Sequence, residues 1–126
     1  MKCLIVEDAT FLREVYNYSL RNTSYEIIGE AKDGIEALAK IKDLQPELVI
    51  LDLVLPIKNG FEVLKEISFL SPKSRVLVIS SLDDENEIRR AKNLGAIEYL
   101  TKPFTKQELL SSLDLVSQVY NEVQNG

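Results

Sequence analysis

Short apolar runs alternate along this chain with longer stretches whose apolar positions recur every three or four residues. The short runs predict strands near 2–6, 25–29, 47–51, 75–80 and 97–100. The longer stretches predict helices near 10–21, 34–44, 59–69, 84–94 and 106–123. In the second helix Ala37, Leu38, Ile41 and Leu44 share one face. In the last, Leu109, Leu113, Val116, Tyr120 and Val123 do the same. Asp33 with Glu36, and Thr105 with Glu108, have the spacing of a capping box. Gly95 follows the fourth helix, where a left-handed residue commonly ends the turn. The tail from Asn121 to Gly126 is expected to fray.

The central runs 48–51 and 76–79 are apolar without interruption. Strands covered by helices on both faces read this way, whereas half-exposed strands alternate. Regular alternation of strand and helix points to a parallel sheet with right-handed crossovers and helices on both sides. The expected fold is α/β, a doubly wound five-stranded parallel sheet with five helices. At 126 residues the chain suffices for one core. No linker, repeat or low-complexity stretch divides it, so residues 1–126 are read as one domain.

The residues that follow the strands carry related chemistry. Cys3–Val6 runs into Glu7 and Asp8, and Leu48–Leu51 runs into Asp52. Val76–Ile79 runs into Ser80 and Ser81, and Ile97–Leu100 is followed by Thr101, Lys102 and Pro103. In an open parallel sheet these ends form one edge, and ligands bind there. Clustered carboxylates suit Mg²⁺, and a hydroxyl with a lysine suits a phosphoryl group. Each residue alone has a plainer reading. Glu7 and Asp8 fit a solvated loop pair or a cap for the helix near Thr10. Asp52 fits an Asx-turn, Ser80 a helix cap, and Lys102 a surface lysine in a turn. Pro103 keeps Lys102 out of helical geometry, and a cis bond there would fix the lysine's direction.

Twenty acidic residues against fifteen basic ones give a net charge of −5, and no basic stripe suggests a nucleic-acid surface. Arg89, Arg90 and Lys92 read as a solvated helix face, with Arg89 spaced to pair with Glu85. The absence of histidine excludes His-ligated metals, Ser-His-Asp chemistry and a phosphohistidine-carrier role. The lone Cys3 reads as a small buried hydrophobe. The N-terminal apolar run is too short for a signal peptide, and no stretch approaches the roughly 20 apolar residues of a membrane helix. A cytoplasmic protein is expected.

Leu4–Asp8, Lys32-Asp33-Gly34, Pro46–Leu53, Pro56 with Asn59-Gly60, Ser80-Ser81, Gly95-Ala96 and Lys102-Pro103-Phe104 come in a specific order. The set closely resembles the receiver domain of two-component response regulators, including single-domain chemotaxis-type regulators, over essentially the whole chain. The resemblance implies a flavodoxin-like sheet of order 2-1-3-4-5. It implies that Asp52 accepts a phosphoryl group from a histidine kinase or phosphotransfer protein. Asp8, Asp52 and the Val54 carbonyl would hold Mg²⁺, with Glu7 acting mainly through a water. Lys102 would pair with one phosphoryl oxygen and the Ser80 hydroxyl with another, with Ser80 and Tyr99 forming the switch. Apolar Val54 and Leu82 would border the phosphoryl group. Output would pass to a downstream protein through the fourth helix, fifth strand and fifth helix, without direct nucleic-acid or membrane binding. The chain would be a monomer or a weak phosphorylation-dependent dimer. It would promote its own phosphorylation and dephosphorylation without being a conventional turnover enzyme.

Three alternatives stand beside this reading. One is a receiver belonging to a longer regulator with a DNA-binding or enzymatic output domain. Another is a flavodoxin-like cofactor-binding protein, which needs a phosphate loop rich in Ser, Thr or Gly where this chain has Glu7-Asp8. The third, a Mg²⁺-dependent phosphatase, resembles an Asp-x-Asp pattern that is absent after the first strand.

Overall fold

Strands and helices alternate throughout the computed structural model, which describes residues 1–125. The first half comprises β1 (Lys2–Val6), α1 (Thr10–Ser19), β2 (Glu26–Ala31), α2 (Gly34–Leu44) and β3 (Leu48–Leu51). The second comprises α3 (Gly60–Leu70), β4 (Arg75–Ser80), α4 (Glu85–Asn93), β5 (Ala96–Thr101) and α5 (Lys106–Asn125). The strands form one parallel sheet in the order β2-β1-β3-β4-β5.

The uninterrupted apolar runs divide between two cores. Successive strand side chains point to opposite faces of a sheet. Leu4, Val6, Val49, Leu51, Val76 and Val78 face one core, with Ala37 and Ile41 of α2, Leu64 and Ile67 of α3, and Ala91 of α4. Cys3, Ile5, Leu48, Ile50, Leu77 and Ile79 face the other, with Tyr16 of α1 and Leu109, Leu113 and Val116 of α5. Full burial of each large aliphatic side chain contributes about 1.5–3 kcal/mol. Both faces must therefore stay covered, and the strand ends are left as the place where polar groups can gather.

The helix starts follow the sequence signals closely. The Asp33 carboxylate accepts from the Glu36 N–H at 2.8 Å. Thr105 and Glu108 bond reciprocally, at 2.9 and 3.1 Å. Asp84 caps α4 by accepting from the Asn86 N–H at 2.7 Å, so Ser80 does not cap that helix. Ala9 is the N-cap of α1 and makes no side-chain cap bond, so neither Glu7 nor Asp8 serves there. Gly95 follows α4 with φ +118°, a conformation open to glycine at little cost.

Two features depart from expectation. α5 is helical to Asn125, two residues past its expected end at 123. No glycine or proline interrupts 121–125, and Val123 extends the apolar period. Gly126, the end of the expected frayed tail, lies outside the described residues. Gln45 adopts the left-handed conformation after α2, with φ 46°. Its side-chain amide donates to the carbonyls of Lys42 and Leu70, at 2.9 and 2.8 Å, which helps hold that turn.

Candidate functional site

β1 and β3 are neighbours, with Val6 paired to Leu51, so the residues that follow them meet at one edge. The Asp52 N–H donates to the Val6 carbonyl at 3.0 Å, carrying the ladder one step further. Carboxylate oxygens of Glu7, Asp8 and Asp52 lie within 4.8 Å of one another. By strand alternation Glu7 and Asp52 turn toward the α1–α5 side and Asp8 away from it. Burial follows suit: Glu7 is 1 % and Asp52 5 % exposed, whereas Asp8 is open to solvent.

Lys102 arrives from the end of β5. Its backbone N–H donates to the Ser80 carbonyl at 2.9 Å, and the Lys102–Pro103 peptide bond is cis. The ammonium donates to Glu7 Oε1 at 2.7 Å and to Asp52 Oδ2 at 2.9 Å. Burial pushes the Glu7 carboxyl up to about 7, the Asp52 charge adds to this, and bonds from Lys102 and the Ala9 N–H offset part of it. Burial alone would lower the lysine, but its bonds to the two carboxylates outweigh that and raise it. One ammonium thus serves two buried carboxylates beside a third acid at the mouth. Such a donor set of hard oxygens with surplus negative charge fits Mg²⁺.

The remaining predicted residues occupy the loops around this edge. Val54 donates its N–H to Asp52 Oδ1 at 3.1 Å, so the Asx-turn reading of Asp52 holds alongside the site reading. The Val54 side chain is exposed, and Leu82 is partly buried against the core. Ser80 is fully buried, and its Oγ accepts from the Leu82 N–H at 3.3 Å. The Tyr99 hydroxyl donates to the Leu82 carbonyl at 2.5 Å, joining β5 to the loop after β4. Gly60 allows α3 to begin against the site: a Cβ there would stand 2.4 Å from the Asp52 carbonyl oxygen.

Two residues were not singled out by the sequence. Arg13, one turn into α1, donates to the carbonyls of Glu7 and Asp8 at 2.8 and 2.9 Å and pairs with Glu30 at 3.4 Å. It holds the acidic loop by its backbone, and an arginine on a helix surface gives no signal of that. Ile57, in the loop between β3 and α3, has φ 70°, which is strained for a β-branched side chain. The expected pairing of Arg89 with Glu85 does not form among the described residues.

The family model of the response regulator receiver domain matches residues 3–114. Chemotaxis protein CheY of Thermotoga maritima is 33 % identical over 93 % of this chain and 98 % of its own length. The response regulator domain of Thermotoga maritima CheB superposes with a TM-score of 0.85 at 32 % identity, covering 96 % of each chain. A CheX-CheY-BeF3-Mg²⁺ complex from Borrelia burgdorferi contains a similar chain, with a TM-score of 0.86 and 28 % identity over 90 % of this chain and 86 % of that one. The chain belongs to the response regulator receiver domain family, a component of two-component signalling. The flavodoxin-like sheet order expected from the resemblance is the order found.

Proposed function

We propose that this protein is a Mg²⁺-dependent phosphoacceptor that takes a phosphoryl group on Asp52 from a histidine kinase or phosphotransfer protein and signals by protein contacts. The carrying observation is the buried Asp52 carboxylate, with Glu7, Asp8 and Lys102 converging on one sheet edge. In the transfer, an Asp52 oxygen bonds to phosphorus as the phosphorus–nitrogen bond of the phosphohistidine breaks. The electron pair leaves on the imidazole nitrogen, which takes up a proton. Asp8, Asp52, the Val54 carbonyl and Glu7 through a water would hold Mg²⁺, whose charge offsets that of the phosphoryl oxygens. Lys102 exchanges one carboxylate partner for a phosphoryl oxygen, and Ser80 bonds another. Because the Tyr99 hydroxyl holds the Leu82 carbonyl, movement of Ser80 would be felt by β5.

The chain promotes its own phosphorylation and dephosphorylation and is not a conventional turnover enzyme. It acts in the cytoplasm; no helix among the described residues is long and apolar enough to cross a membrane. The Borrelia burgdorferi complex supports both the metal and a protein partner, since a similar chain is found there with Mg²⁺, BeF3 and CheX. The test is phosphorylation by a kinase or acetyl phosphate, with and without EDTA, for the native chain and Asp52→Asn. Label should require Mg²⁺ and be absent from the variant. Full labelling in excess EDTA would overturn the metal assignment, and acid-labile phosphate on the variant would move the acceptor.

A further inference from the structure

The surface between α3 and α4 holds a groove of about 510 Å³ whose lining does not include Glu7, Asp8, Asp52 or Lys102. Its floor is apolar: Phe61 is buried from α3, and Leu94 closes the end of α4. Lys65 lines one wall, and Arg89 and Arg90 line the other. Arg90 lies over the Phe61 ring, its guanidinium carbon 4.1 Å from the centroid. Among the described residues none of these three cations forms an ion pair. Glu62 is the single acid on the wall, so the groove is locally cationic in a chain of net charge −5.

We infer that the groove between α3 and α4 binds a short acidic segment of a partner protein, with an apolar side chain on Phe61 and carboxylates on Lys65, Arg89 and Arg90. The three cations complement such a segment's charge, and the apolar floor complements its apolar side chain. Asn86 and Asn93 bound the α4 wall two helical turns apart, about 10 Å. An extended segment of about three residues spans that length, and the two amides can bond its backbone. A nucleic acid fits poorly, because its continuous charge would run onto Asp83, Asp84, Glu85 and Glu87 at the start of α4. This wall of α4 faces α3, whereas the expected output surface is its side toward β5. The inference does not depend on phosphorylation of Asp52.

The test uses the unphosphorylated full chain and a short fluorescent peptide alternating glutamate with leucine. The matched control alternates lysine with leucine. Anisotropy should show binding of the acidic peptide alone, weakening as salt rises. Amide shifts on titration should centre on Phe61, Lys65, Arg89 and Arg90. Arg89→Glu with Arg90→Glu should weaken binding roughly tenfold or more, and Lys65→Glu on the opposite wall should act in the same direction. All are exposed positions, and an unchanged amide spectrum elsewhere verifies the fold. Equal binding of the lysine peptide, or unchanged affinity in both charge-reversed variants, would overturn the inference. So would preferential binding of a single-stranded oligonucleotide, or self-association of the chain that the same reversals abolish.

Discussion

At the scale of single residues, Glu7 and Lys102 are the most informative pair. Glu7 is nearly inaccessible and its carboxyl is raised to about 7, chiefly by burial. In the unfolded chain the same group ionises near 4.5. Between these values the folded state holds a proton that the unfolded state has released. Stability should therefore rise as pH falls from about 7 toward 4.5, by about 1–3 kcal/mol from this group. Urea unfolding of the metal-free protein across that window should show the rise, and Glu7→Gln should flatten it. A slope unchanged in Glu7→Gln would assign the effect to another group. Lys102→Ala should hold or strengthen Mg²⁺ affinity, because it removes a positive charge bonded to two of the acids. The same variant should lose much of the coupling between phosphorylation and output, since it would lack the charge-assisted bond proposed to the phosphoryl group. Calorimetric titration with Mg²⁺ checks the first claim; a clear fall in affinity would contradict it.

At the scale of elements, the loop from β3 to α3 combines close packing with strain. Gly60→Ala would push a Cβ onto the Asp52 carbonyl oxygen and Leu53 Cα, both 2.4 Å away, and backbone cannot swing aside as a side chain can. It should destabilise by about 1–3 kcal/mol in urea unfolding. Ile57 presents the opposite case. It is 79 % exposed with φ 70°, at the centre of a three-residue turn closed by the Lys58 N–H on the Pro56 carbonyl at 2.8 Å, so it buries little while holding a strained backbone. Ile57→Gly should stabilise by about 1 kcal/mol, and no change would show that the loop relaxes without strain. These loops also mark what the sequence could disclose. Element positions were legible because the two apolar periods and the caps at Asp33 and Thr105 are local signals. The gathering of Glu7, Asp8, Asp52 and Lys102 was legible because each follows a strand and the strands are parallel. The Ile57 conformation and the Arg13 bonds to the acidic loop were not, since both depend on where distant backbone passes. The Arg89–Glu85 pair expected from spacing alone is missing, as a pairwise gain of a few tenths of a kcal/mol rarely fixes two exposed side chains.

At the scale of the whole molecule, the two apolar cores cover both faces of the sheet while the acidic cluster and Lys102 gather at its edge. The lifetime of the phosphoryl group proposed on Asp52 would then depend on access of water to one small region. Hydrolysis needs a water in line with the bond from phosphorus to the Asp52 oxygen. Val54, exposed beside Asp52, and Leu82, partly buried in the loop after Ser80, are the side chains expected to border that approach. Neither can accept or donate a hydrogen bond to orient the water, and in the expected position their bulk would obstruct it. Autodephosphorylation should therefore be slower in the native chain than in a double variant, Val54→Asn with Leu82→Glu. The comparison is loss of phosphate from each purified phosphoprotein in the same Mg²⁺ buffer. Leu82 also carries the carbonyl that Tyr99 holds, so the single Val54→Asn variant separates water access from any disturbance of that loop. It alone should speed decay, and adding Leu82→Glu should speed it further. Decay equal to or slower than native in both variants would show that these positions do not gate the water.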